Sequence, residues 1–172
     1  MWWSRRALIT SAALLVAGCG FHPLYAHNDR RGYDPDLAAI KVNTIPDRHG
    51  QLLAIELRDG LNPRGVRVET RYTLTVELSA QRHDIGLRPD GTASRSQIAT
   101  TAKFVLKDVK GDKTVLEGTT HSVSSFDVLN DNYATVVAQH SAEERTVRDI
   151  GDDILTRLEV YVSEHRSTSA PS

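Results

Sequence analysis

The sequence predicts an α+β fold: two helices packed on one face of a four-stranded, largely antiparallel sheet, in the order β-α-β-β-β-α. Three observations carry this reading. Apolar and polar residues alternate through several short segments, and apolar residues recur at helical spacing through two longer ones. The chain has 172 residues, 40% hydrophobic and 25% charged, the length and composition of one globular domain with an appendage.

From Leu37 to Thr44, Ala38, Ile40 and Val42 fall on one face and Ala39, Lys41 and Asn43 on the other, a strand pattern that Pro46 ends. From His49 to Leu61, Leu53, Leu57 and Leu61 stack at i, i+4 and i+8, with Leu52 and Ile55 widening the stripe. Asn62-Pro63 and Gly65 stop this helix. Arg71 to Ser79 is the cleanest strand: Tyr72, Leu74, Val76 and Leu78 face one way, Thr73, Thr75, Glu77 and Ser79 the other. Gln97 to Lys107 repeats the pattern, with Ile98, Ala102, Phe104 and Leu106 inward and Lys103 and Lys107 outward. Gly111-Asp112 is a turn signal. Val115 to Ser125 is then a third antiparallel strand, too uniformly Thr, Ser and Val to say which face is buried. Gln81 to Ser96, around Pro89-Asp90-Gly91, is expected to be a long loop. Such loops on a rigid sheet often carry function.

The long helix runs from Asn132 to about Glu164, with Asn130 or Asn132 as its cap. Its stripe comprises Tyr133, Val136, Val137, His140, Val147, Ile150, Ile154, Leu158 and Tyr161. Gly151 falls on that stripe, where it costs about 1 kcal/mol relative to Ala and lets the helix approach the sheet closely.

The N-terminus reads as an address. Met1 to Arg6 carries two positive charges, and Ala7 to Gly18 is an uncharged apolar run too short to span a bilayer. It ends in Leu15-Val16-Ala17-Gly18-Cys19, and Cys19 is the single cysteine. Small residues directly before a cysteine resemble a bacterial lipobox, which implies that Cys19 is lipidated and becomes the mature N-terminus. Gly20 rather than Asp after it points to the outer membrane. The expected organisation is a signal peptide over 1–18, a lipid-anchored tether over 19–36, the α+β domain over 37–165 and a polar tail over 166–172.

Composition and motifs narrow the function. A net charge of -1 argues against a dedicated nucleic-acid binder, which would normally be much more basic. One cysteine excludes a disulfide framework and a cysteine-rich zinc site. The seven histidines show no H-E-x-x-H spacing, and there is no G-x-S-x-G and no phosphate-cradling glycine loop. No enzyme and no cofactor are expected. Glu143-Glu144 and Asp152-Asp153 diverge on a helix and read as a solvated face. His140 reads as a core or margin residue. Arg82, Arg88 and Arg95 occupy the expected loop, and Lys103 and Lys107 share the outward face of the next strand. They are a solvated face discouraging edge pairing, or contacts to phosphates.

Several segments together resemble one family. The run Gly18-Cys19-Gly20-Phe21-His22-Pro23-Leu24-Tyr25 is similar to the start of LptE, the lipopolysaccharide-assembly lipoproteins. Asp90-Gly91-Thr92-Ala93-Ser94-Arg95 resembles the family's loop before its third strand. Ser125-Phe126 followed by Asn132-Tyr133-Ala134 resembles the lead into its last helix. Ala142-Glu143-Glu144-Arg145, Asp152-Asp153-Ile154 and Arg157-Leu158 resemble that helix. The resemblance implies a non-catalytic outer-membrane lipoprotein that plugs the LptD barrel one-to-one. It implies help in assembling that barrel, and a part in placing lipopolysaccharide in the outer leaflet. It also implies contact with lipopolysaccharide through basic residues, for which charge and loop position nominate Arg88, Arg95 and Lys103. The alternative is an auxiliary lipoprotein of an ABC-type envelope lipid-transport system, which the run after Cys19 disfavours. A lipid-modifying hydrolase lacks any nucleophile–base pattern here.

Overall fold

A one-turn helix that the alternating pattern did not announce opens the fold. The computed structural model describes residues 34–87 and 93–169. Asp34 caps this helix, α1 (Pro35–Ala38), by accepting from the Asp36 N–H at 3.0 Å, and Pro35 supplies a preset φ at its first position. The cap overrides the alternation over Leu37–Ala39, so the first strand shrinks to β1 (Ile40–Val42). The observed order is therefore α-β-α-β-β-β-α, with three helices rather than two.

α2 (Asp47–Leu61) buries Leu53, Ala54, Leu57 and Leu61, as the spacing requires, but Ile55 is 53% exposed and does not widen the stripe. β2 (Tyr72–Leu87) and β3 (Ala93–Asp108) form one long antiparallel hairpin, and β4 (Lys113–Asp127) pairs with β3. β1 lies parallel to β2 at Tyr72–Leu74, giving a mixed sheet in the order β1-β2-β3-β4. Most of the expected loop over Gln81–Ser96 is thus the outer end of the hairpin. Gln81 to Arg82 and Ile98 to Gln97 continue the ladder without a break, and β2 runs on past a register shift to Leu87. Residues 88–92 lie outside the described residues.

In β4 the buried residues are Thr120 and Phe126, so the even positions face the helices. α3 (Asn132–Ser169) is capped by Asp131, which accepts from the Tyr133 N–H at 2.8 Å; neither neighbouring asparagine takes that role. The helix extends four residues into the segment read as a polar tail. Its first turns leave the sheet: Tyr133 is 77% exposed, and Val136 and Val137 are exposed as well. The buried stripe begins at Ala142 and continues through Val147, Ile150, Ile154, Leu158 and Tyr161. No helix among the described residues is long and apolar enough to cross a membrane.

The core lies between one sheet face and the α2–α3 pair. Leu74, Val76, Ala102, Phe104 and Leu106 meet Leu53, Leu57, Ile150, Ile154 and Leu158. A smaller cluster of Ile98, Phe126 and Ala142 sits under the start of α3. Gly151 faces α2 and not the sheet: a Cβ there would lie 3.3 Å from Glu56 Cγ and 3.5 Å from Leu53 Cδ1. Gly151→Leu is therefore expected to pry the helices apart and to cost about 1–3 kcal/mol in urea denaturation. An unchanged midpoint would mean the two helices do not touch at this point.

Candidate functional site

Both long helices cover the same sheet face, so the other face is left to its side chains. The odd residues of β2, β3 and β4 occupy it: Thr75, Glu77 and Ser79 on β2, Thr101 and Lys103 on β3, Thr119 and His121 on β4. Lys103 stands between Glu77 and Thr119 in the ladder and is exposed, as its outward position in the sequence pattern requires. Arg95 lies on the same face of β3, where its Nε donates to Asp127 at 3.1 Å. Eight residues at roughly 3.3 Å each separate it from Lys103 by roughly 26 Å. The strand thus gives the two cations one face but not one contact. Arg88 and Cys19 lie outside the described residues.

Arg82, expected in the loop with the other two arginines, instead sits on β2 and turns toward α3. Its guanidinium donates to Gln139 Oε1 at 3.0 Å and Ser96 Oγ at 3.1 Å, and lies 5.2 Å from the centre of the Phe126 ring. The Ser96 hydroxyl donates to Asp84, and with Arg82 it holds that carboxyl below its ordinary range. This network ties the outer hairpin to α3, so Arg82 is already engaged within the domain.

Between α2 and the hairpin lies an open groove of about 380 Å³. Leu78, Ala80 and Ile98 give it an apolar floor; His49, Arg82, Gln139 and Glu143 line its walls. Glu143 is 9% exposed, which corrects its reading as part of a solvated face. Its Oε2 lies 3.0 Å from His49 Nε2 and 3.1 Å from His140 Nδ1, and its Oε1 accepts from Gln139 at 2.8 Å. Burial pushes its pKa up, but hydrogen bonds from Gln139, His49 and His140 outweigh that and hold it below the usual value. His140 is a margin residue, and its ring serves this carboxylate. No cluster of metal-ligating residues occurs among the described residues. The chemistry of the groove is bracing: it fixes α2 to α3 through one carboxylate.

The sequence profile of the lipopolysaccharide-assembly family LptE matches residues 37–158, from α1 through most of α3. The chain belongs to the LptE family. Its role is in lipopolysaccharide assembly, and the LptE family is a non-enzymatic lipoprotein family. Among curated proteins, no sequence matches the chain. Solved structures share the fold. A lipoprotein from Caulobacter crescentus CB15 is 26% identical, with a TM-score of 0.63, covering 80% of this chain and 96% of its own. Rare lipoprotein B from Shewanella oneidensis is 12% identical, with a TM-score of 0.56, covering 74% and 96%. Lipoprotein B from Nitrosomonas europaea is 9% identical, with a TM-score of 0.56, covering 77% and 89%. At such identities the last two show the common architecture alone. The LptE match takes in both Arg95 and Lys103 but stops short of Cys19.

Proposed function

We propose that the chain is an outer-membrane lipoprotein, acylated at Cys19, that plugs the LptD barrel and helps to assemble it. In this reading it takes part in inserting lipopolysaccharide into the outer leaflet of the outer membrane. The family match over the α+β domain carries the proposal. The structure supports it physically: a sheet with one face covered by helices and the other lined with Thr, Ser, Glu and Lys suits the polar, water-filled lumen of a large barrel. Acyl chains on Cys19 hold the chain at the membrane, each buried CH₂ contributing about 0.8 kcal/mol. Arg95, near the outer end of the hairpin, and Arg88, which follows Leu87 in the sequence, are the proposed contacts for lipid A phosphates, with Lys103 a separate contact farther along the face.

Affinity isolation of the chain from detergent-solubilised outer membranes tests this. The expected product is a one-to-one complex with the barrel, and depletion of the chain is expected to lower assembled barrel and surface lipopolysaccharide together. Isolation with an inner-membrane ATPase complex, and normal levels of both after depletion, would replace this reading with the ABC-auxiliary one.

A further inference from the structure

β4 is the last strand of the sheet, and its outer edge has no neighbouring strand among the described residues. Exposed edges usually carry lysine or proline, or are short or bulged, because unpaired N–H and C=O groups invite another strand. From Thr114 to Phe126, β4 has no lysine, arginine or proline. A register shift against Leu106–Lys107 marks a bulge at Val115, and at the far end Arg145 donates to the Ser124 hydroxyl at 3.0 Å and reaches the Ser125 carbonyl at 3.5 Å. Neither device touches the edge from Leu116 to His121. A second feature meets the same stretch. Between β4 and α3 runs a groove of about 370 Å³, walled by Leu116 and Glu117 on the strand edge, Phe104 on β3, and Val160 and Tyr161 on the helix. Thr156, Val160 and Glu164, spaced four apart, form the flank of α3 on this side, and Val160 is 50% exposed.

We propose that β4 takes up an extended segment of a partner protein as a fifth strand, and that this segment carries an apolar–basic–apolar triplet. α3 packs more on β4 than on β3, so its outer flank overhangs the place of that strand, roughly 4.8 Å beyond β4. Side chains alternate across a strand, so the residues opposite Leu116, Glu117 and Gly118 point in, out and in. Opposite Leu116, an apolar side chain enters the groove under Val160. Opposite Gly118, a second one lies at the Arg157 end of the groove, where β4 has no side chain of its own. Between them, on the uncovered face, the segment's residue stands across from Glu117. That carboxylate is exposed and has no ion-pair or hydrogen-bond partner among the described residues, so a lysine or arginine complements it.

In such an arrangement main-chain pairing supplies affinity, and the pocket beside the edge supplies choice. Arg157, also in the groove wall, is already held by Asp153 at 2.9 Å, so it leaves Glu117 to set the sign of the segment. The β4 edge of a second copy is a poor occupant, because it has no lysine or arginine to set against Glu117. One segment per chain keeps the proposed one-to-one stoichiometry, and the inference does not rest on the barrel reading.

The test uses the full chain in detergent and a fluorescent peptide of threonines around a central Leu-Arg-Leu. Anisotropy is expected to rise saturably, and amide hydrogen exchange to slow over residues 116–121. A Leu-Glu-Leu peptide is expected to bind about fivefold more weakly, and an Ala-Arg-Ala peptide about tenfold more weakly. Glu117→Lys is expected to reverse the preference between the Leu-Arg-Leu and Leu-Glu-Leu peptides. Val160→Ser is expected to weaken both of these and to leave the Ala-Arg-Ala peptide unaffected. Both substituted side chains reach solvent, so neither variant is expected to shift the urea midpoint. Unchanged exchange at millimolar peptide would overturn the proposal. So would equal binding of the three peptides, or a Glu117→Lys variant that keeps the wild-type preference. Slow exchange over the edge in the chain alone would overturn it too: lost on dilution, it would assign the edge to a second copy, and kept on dilution, to another segment of the same chain.

Discussion

Phe104→Ala is expected to lower the free energy of unfolding by about 3–5 kcal/mol, measured by urea denaturation. The ring is 1% exposed and sits on β3 where the sheet, α2 and α3 converge. Its neighbour in the ladder is Gly118, and a Cβ on Gly118 would lie 2.7 Å from the ring. The missing side chain on β4 is thus the space that the phenyl group fills. The Arg157 guanidinium sits 5.9 Å from the ring centre and is itself held to Asp153 at 2.9 Å. Removing the ring opens the interior to the adjoining groove beneath Val160 and Tyr161. The two positions should therefore be coupled. Gly118→Ala is expected to destabilise the wild type, because an aromatic ring in a packed core has nowhere to move, and to be tolerated beside Phe104→Ala. Additive effects would show that the contact does not exist. A cost below about 1 kcal/mol for Phe104→Ala would remove the ring from the core.

That contact was half legible. The inward placing of Phe104 follows from alternation, because a sheet with one covered face imposes period two on its apolar residues. The pairing with Gly118 does not, because β4 is so uniformly small and hydroxylated that neither face stands out. The outer hairpin was hidden for a related reason. From Gln81 to Leu87 the strand is largely exposed on both sides, so pairing, not burial, holds it extended, and no pattern records that. Local capping chemistry misled at the other end, where Asp34-Pro35 starts a turn of helix inside an apparently alternating run. Glu143 was legible and missed: it lies four and seven residues before Val147 and Ile150, on the buried stripe itself. Reading Glu143-Glu144 as a pair concealed that one faces in and the other out. At the level of the family, the scattered motifs of the last helix and of the strand before it fall within the matched span. The basic residues had no such guide. Charge identifies Arg82, Arg95 and Lys103 equally, whereas the strand sends Arg82 inward and sets the others far apart.

Glu143→Ala is expected to cost about 2–3 kcal/mol at neutral pH. Breaking a fully buried charge pair costs about 3–5 kcal/mol, and a hydrogen bond to a charged group contributes about 1.5–3 kcal/mol. Here water reaches the partners, since the His49 and His140 side chains are 29% and 45% exposed, and it recovers part of the loss. The pH dependence separates this brace from simple packing. The folded state holds the Glu143 pKa below its ordinary 4.5, so its contribution is fully present above that value. It is lost as pH falls through the lowered folded value, where the folded protein takes up the proton. Asp34 and Asp84 are also lowered and add their own acid sensitivity. The comparison is therefore wild type against Glu143→Gln, which keeps the shape and cannot ionise. The wild type should be the more stable at pH 7, and the gap should close as the pH falls from 4.5 through the lowered folded value, below which both side chains are neutral. A gap that stays constant into acid would mean that folding leaves the Glu143 pKa unshifted. The contacts to Gln139, His49 and His140 would then hold the charged and the neutral carboxyl equally well, and the brace between α2 and α3 would not depend on charge.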